Sequence, residues 1–153
     1  MASPDQPDVQ PSVSPHLVVD DAAAAIDFYV KAFDATEFGR VPGPDGRLVH
    51  AALQINGATV LLNDDFPEMT DGKSTTPTSL GGTPVTIHLT VTDVDTKFQK
   101  AIDAGATVVA PLEDQFWGDR YGMLRDPFGH QWSLGQPVRE VSIDEIAAAM
   151  AKG

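Results

Sequence analysis

Apolar residues along this chain change their spacing several times, and each change marks an element. Val13, Leu17, Val18 and Val19 form a β-rich opening that stops at Asp20-Asp21. Ala25, Ile26, Tyr29 and Phe33 then recur at helical spacing, which predicts a helix over Ala22–Phe33 with the aspartates as its cap. A strand is expected from Thr36 to Val41, before the turn-rich run Pro42-Gly43-Pro44-Asp45-Gly46. Leu48–Ile55 alternates, Asn56-Gly57 is a two-residue hairpin signature, and Thr59 to Asn63 returns as its partner strand. Residues 65–83 have little to bury and read as a linker loop. The cycle then restarts: a strand over 84–91, a helix from Val94 capped by Asp93 and stopped at Gly105, and a strand from Thr107 to Ala110. Arg120 to Arg125 and Gln131 to Leu134 pair around Asp126-Pro127-Phe128-Gly129, and Ser142 caps a last helix, Ile143–Lys152.

The restart is a repeat. His16-Leu17-Val18-Val19 matches His88-Leu89-Thr90-Val91 at an offset of 88 − 16 = 72, and the hairpin glycines Gly57 and Gly129 keep that offset. Ala35-Thr36 and Ala106-Thr107 fall one residue short of it. The predicted organisation is an N-terminal arm over 1–12, a βαβββ module over 13–64, a linker over 65–83, a second βαβββ module over 84–136 and a C-terminal helical region over 137–153. The fold class is α+β, with two paired modules forming a curved mixed sheet around a cavity.

Strand alternation sorts the side chains by face. Val85, Ile87, Leu89 and Val91 oppose Thr86, His88 and Thr90; His50 and Gln54 oppose Ala51, Leu53 and Ile55. Tyr121, Met123 and Arg125 share a face, as do Gln131, Ser133 and Gly135. One face suits helices. The other is polar, and if all the polar faces curve inward they line a small-molecule cavity.

Composition narrows the classes. The 153 residues are 42% apolar and 21% charged, which is globular. A net charge of −12 repels phosphate backbones, so no nucleic-acid partner is expected. With no cysteine there is no disulfide framework, thiol nucleophile or thiolate metal site. No apolar run reaches the ~20 residues of a membrane span and the N-terminus lacks a signal-peptide pattern, so a cytoplasmic location is expected.

The repeat, its two His-Leu-x-Val openings, the run Trp117-Gly118-Asp119-Arg120-Tyr121-Gly122 and the run Asp126-Pro127-Phe128-Gly129-His130 together resemble the vicinal oxygen chelate superfamily. The resemblance is to its bacterial glyoxalase-like, bleomycin-resistance-like branch and covers about residues 13–142. It implies that metalloenzymes of this kind hold a divalent ion through the first and last strands of each module. Here the first-strand positions are His16 and His88, but the last-strand positions, where such enzymes carry carboxylates, are Leu61 and Ser133. A hairpin position often occupied by glutamate is Ala52, and Gly135-Gln136-Pro137 stands where relatives commonly read Ala-Thr-His. Asp64, three residues past Leu61, is the acid that a slipped register would bring in.

The expected function is therefore metal-free binding and sequestration of a small apolar or aromatic molecule, with His16, His50, His88, Trp117, Arg120, Tyr121 and Ser133 as ligand-binding residues and no resident cofactor. Two alternatives stay open: a divalent-metal enzyme, glyoxalase-like or dioxygenase-like, with His16 and His88 as ligands, and a non-catalytic accessory protein. Arg120 pairs with Asp119 or serves as a cationic contact for an anionic ligand; Trp117 lids the cavity or anchors its loop. The resemblance also implies a homodimer, because half-sheets of this kind are commonly exchanged between chains.

Overall fold

The computed structural model describes residues 5–153. Of the expected arm, residues 1–4 lie outside the described residues, and residues 5–12 are exposed and form no regular element. The chain then runs β1 (His16–Val19), α1 (Ala22–Phe33), β2 (Thr36–Pro42), β3 (Leu48–Ile55) and β4 (Ala58–Asp64). After a 3₁₀ turn at Pro67–Met69 come α2 (Pro77–Leu80), β5 (Thr86–Thr90), α3 (Val94–Ala104), β6 (Thr107–Asp114), β7 (Asp119–Arg125), β8 (Gln131–Pro137) and α4 (Ile143–Lys152). Two four-stranded mixed sheets result, ordered β1-β4-β3-β2 and β5-β8-β7-β6. In each, the first strand lies parallel to the last and the others are antiparallel, giving paired βαβββ modules with no closed barrel.

The local rules explain most of these boundaries. Asp21 caps α1 by accepting from the Ala24 amide, and Ser142 does the same for α4 through the Glu145 amide. Asp93 does not cap α3. It sits in the left-handed region at φ 52° with no side-chain capping bond, and the Val94 amide donates instead to Gln136 Oε1, which β8 presents on the same helix-facing side of the sheet, 3.0 Å away. β8 therefore extends past its expected end at Leu134, because Gln136 is held in the ladder opposite Arg120. The linker is not plain loop: α2 packs so closely on the β7–β8 turn that a Cβ on Gly129 would lie 2.8 Å from Pro77 Cβ.

The two modules share one core. α1 lies beside α3, and Tyr29 and Phe33 of α1 meet the fully buried Trp132 of β8 at ring separations of 5.4 and 4.7 Å. At the heart of this contact Asp126 is buried and accepts four hydrogen bonds: Tyr29 OH (2.5 Å), Trp132 Nε1 (2.9 Å), and the amides of Phe128 (2.9 Å) and His130 (3.0 Å). Burial first, and the Asp126 carboxylate second, push the Tyr29 hydroxyl well above its ordinary value, so it remains a donor. At the margins the modules exchange matching bonds. Asn56 in the first hairpin donates to Thr90 O at 2.8 Å, and His130 Nε2 in the second bonds Val18 O at 2.9 Å; Val18 and Thr90 are repeat equivalents. Each bond reaches a carbonyl of an outer strand, β5 or β1; β2 and β6 are the opposite edges of the two sheets. Among the described residues no helix is long and apolar enough to cross a membrane.

Candidate functional site

The polar faces carry the same construction twice. His16 lies opposite Leu61 in the parallel ladder, and His88 lies opposite Ser133. Two strands over, a ring faces each histidine: His50 at 6.5 Å from His16, edge-on, and Tyr121 at 5.9 Å from His88, nearly parallel. His50 and Tyr121 are equivalent positions, since Ala52 pairs with Leu61 as Met123 pairs with Ser133.

What separates the modules is the residue between the two rings. In the first it is Asn63, whose amide nitrogen donates to Asp64 O (2.7 Å) and whose oxygen therefore faces His16 Nε2 at 2.6 Å. That oxygen can only accept, so Nε2 carries the proton. In the second module the equivalent residue is Gly135, and the His88 ring lies directly on it: a Cβ there would be 2.9 Å from His88 Cε1. With no side chain to bond, His88 turns Nδ1 to the Ser133 hydroxyl, 2.8 Å away. Asn63 and Gly135 were missed as site residues, although the offset of 72 relates them directly.

The expected residues divide into two groups. His88, Tyr121 and Trp117 come together in a row, with Trp117 edge-on to Tyr121 at 5.7 Å. Trp117 sits in the loop between β6 and β7. The loop is held by backbone, the amides of Val138 and Arg139 both donating to Gly118 O, and the indole is left half-exposed above the row. His16 and His50 form the second group, in the first module. Ser133 is only 1% exposed, so its contribution is to hold His88. Arg120 belongs to neither group. It bonds Asp95 on α3 through Nε and Nη2 and Asp114 through Nη1, on the helix side of the sheet. Its hydrogen bonds hold the Asp95 carboxyl below its ordinary range. The expected Asp119–Arg120 pair is thus replaced by pairs from α3 and β6.

Asp64 is also spoken for. It is buried, with Oδ1 accepting from the Ala22 amide (2.7 Å) and Oδ2 from the Leu48 amide (2.6 Å), so it fixes the start of α1 to the start of β3. No register slip delivers it to His16. Among the described residues no three His, Cys, Asp or Glu side chains gather where they could hold one cation. A divalent ion of the kind the fold family uses thus finds an imidazole and a leucine in one module, and an imidazole and a buried hydroxyl in the other. That donor set does not fit it.

Grooves border the polar faces. His16 borders one of about 320 Å³ with Ile87, His130 and Gln131 of the second module. A second, of about 440 Å³, lies beside it between α2 and Arg125, sharing Gln131. A third, of about 680 Å³, separates Trp117 from the start of α4.

Comparison with known proteins agrees with this architecture. The Mycobacterium bovis protein Mb0911c is 78% identical over 143 residues, 94% of either chain. The crystal structure of TioX from Micromonospora sp. ML1 superposes with a TM-score of 0.63 at 28% identity, covering 86% of this chain and 100% of that one. The X-ray structure of the Arabidopsis thaliana At5g48480 product gives 0.64 at 29%, over 82% and 98%. The pattern of the Glyoxalase/Bleomycin resistance protein/Dioxygenase superfamily matches residues 11–134, more than half of the chain, and the protein belongs to that superfamily.

Proposed function

We propose that this protein binds a small aromatic molecule on its polar sheet faces without a metal ion, sequestering it rather than transforming it. The observation that carries this reading is the ladder register. It sets Leu61 and Ser133 opposite His16 and His88, where a metalloenzyme of this family would need acids. The half-exposed row His88–Tyr121–Trp117 supports an aromatic ligand, since flat rings gain both burial and face-to-edge contacts there. Thermal melting with 1 mM manganese, cobalt, nickel or zinc, in place of chelator, tests it. A tight ligand at ~1,000 times its dissociation constant adds about 4 kcal/mol of stability. The expected result is a Tm unchanged within about 1 °C. A shift of several degrees with one metal, abolished in both His16→Ala and His88→Ala, would establish the metalloenzyme reading instead.

In this reading the working unit is a homodimer. β2 is exposed along its whole length, with Phe38 and Val41 in solvent, and α4 buries none of its residues while exposing Ile143 and Met150. Free strand edges of this kind favour a two-fold partner. Light scattering at micromolar concentration is expected to give twice 16.3 kDa. A monomer throughout that range would assign the ligand to a single chain.

A further inference from the structure

Three of the five arginines are matched to acids: Arg40 to Glu37, Arg47 to Asp45 and Glu68, and Arg120 to Asp95 and Asp114. Arg139 donates to the carbonyls of Gln115 and Phe116. Arg125 is different. Among the described residues its guanidinium has no hydrogen-bond or ion-pair partner, in a chain with 22 acids to offer one. It lies at the end of β7, where the buried Leu124 points to the helices and Arg125 to the polar face. Across the sheet the row Arg125–Gln131–Thr86 runs directly beside the row Met123–Ser133–His88. Adjacent rows on one face are about 7 Å apart, two residues of strand rise.

Arg125 also faces a built recess. The groove of about 440 Å³ at this end of the face is lined by Thr78, Gly81, Gly82 and Thr83 of the linker, and by Arg125, Gly129 and Gln131 of the second module. Its wall is fixed by the contact of α2 with the side-chain-free Gly129 turn, which admits Pro77. The Thr78 hydroxyl makes no hydrogen bond to a described residue, and Gln131 is held in place by its donation to Thr86 Oγ1 at 2.9 Å. A planar five-donor cation with unused hydrogen-bonding capacity, beside a free hydroxyl and one row from His88, the near end of the ring row, matches a carboxylate-like anion attached to an aromatic body.

We propose that this recess takes the anionic substituent of the ligand, with Arg125 as its cationic contact, so that the ligand class is aromatic organic acids. This rests on the binding reading above and narrows it. Arg120, the arginine that the sequence suggested for such a contact, is consumed by Asp95 and Asp114; Arg125 is left for it.

Two fluorescent probes that differ by one anionic group test this: 8-anilinonaphthalene-1-sulfonate and the neutral N-phenyl-1-naphthylamine. Both are titrated into the full chain, its R125Q and R125K variants, with circular dichroism confirming that each is folded. The expected result is at least ~10-fold tighter binding of the sulfonate by the wild type, the size of one charge-assisted contact. That preference should be lost in R125Q, largely kept in R125K, and absent for the neutral probe in every variant. Equal binding of both probes, unchanged by R125Q, overturns the anion recess and leaves the aromatic-binding reading intact. Binding of neither probe overturns both.

Discussion

Replacing Asp126 with alanine is expected to cost about 3–5 kcal/mol, the largest effect of any single substitution considered for this protein. The carboxylate is 4% exposed and is the common acceptor for a phenol, an indole and two backbone amides. Without it four donors, three of them buried, lose their common partner, and each such group carries its own desolvation penalty. Because Tyr29 comes from the first module and Trp132 from the second, the loss falls on the contact that joins them. Domains of this size hold roughly 5–15 kcal/mol in total, so Asp126→Ala should lower Tm by about 10 °C or more. Tyr29→Phe removes one donor and is expected to cost only about 1–2 kcal/mol. The two variants should also differ in alkali. The Tyr29 hydroxyl titrates higher in the folded chain than its ordinary value of 10.0. Its stabilising contribution is therefore complete below pH 10 and is lost as pH rises above that, since the unfolded chain then releases the proton first. Urea denaturation at pH 8 and above pH 10 should show a steeper loss for the wild type than for Tyr29→Phe. Equal slopes would mean that the hydroxyl is not held protonated by its surroundings.

Asp64→Ala is expected to be next in size, at about 2–4 kcal/mol, for a related reason. Its two oxygens hold the first amide of α1 and the first of β3, both otherwise without a partner at the start of their elements. Asp64→Asn separates charge from shape: one side-chain oxygen remains, so one amide stays bonded and about half of the loss should be recovered. Chemical denaturation of the three proteins checks this. If Asp64→Ala instead left stability untouched while changing metal affinity, Asp64 would belong with His16 as a ligand rather than with the scaffold.

Much of this protein was determined by local sequence alone. Period and capping placed α1 and β3 at their observed bounds, because Asp21 and the alternation of Leu48–Ile55 act within a few residues of themselves. The offset of 72 between His16 and His88 and between Gly57 and Gly129 pointed to two modules, while Leu61 and Ser133 as the last-strand positions facing His16 and His88 came from the family resemblance. Tertiary structure decided everything that depends on a distant partner. Gln136 displaced Asp93 as the cap of α3, Asp95 and Asp114 claimed Arg120, and two backbone amides claimed Asp64. It also decided which groups are left over. A sequence shows that an arginine or a carboxylate is present, but whether its charge is spent depends on the side chains that folding brings beside it. Arg125, next to Asp126 in the chain, is left without a partner because among the described residues no acid from either module reaches its guanidinium, Asp126 being spent on Tyr29, Trp132 and two amides.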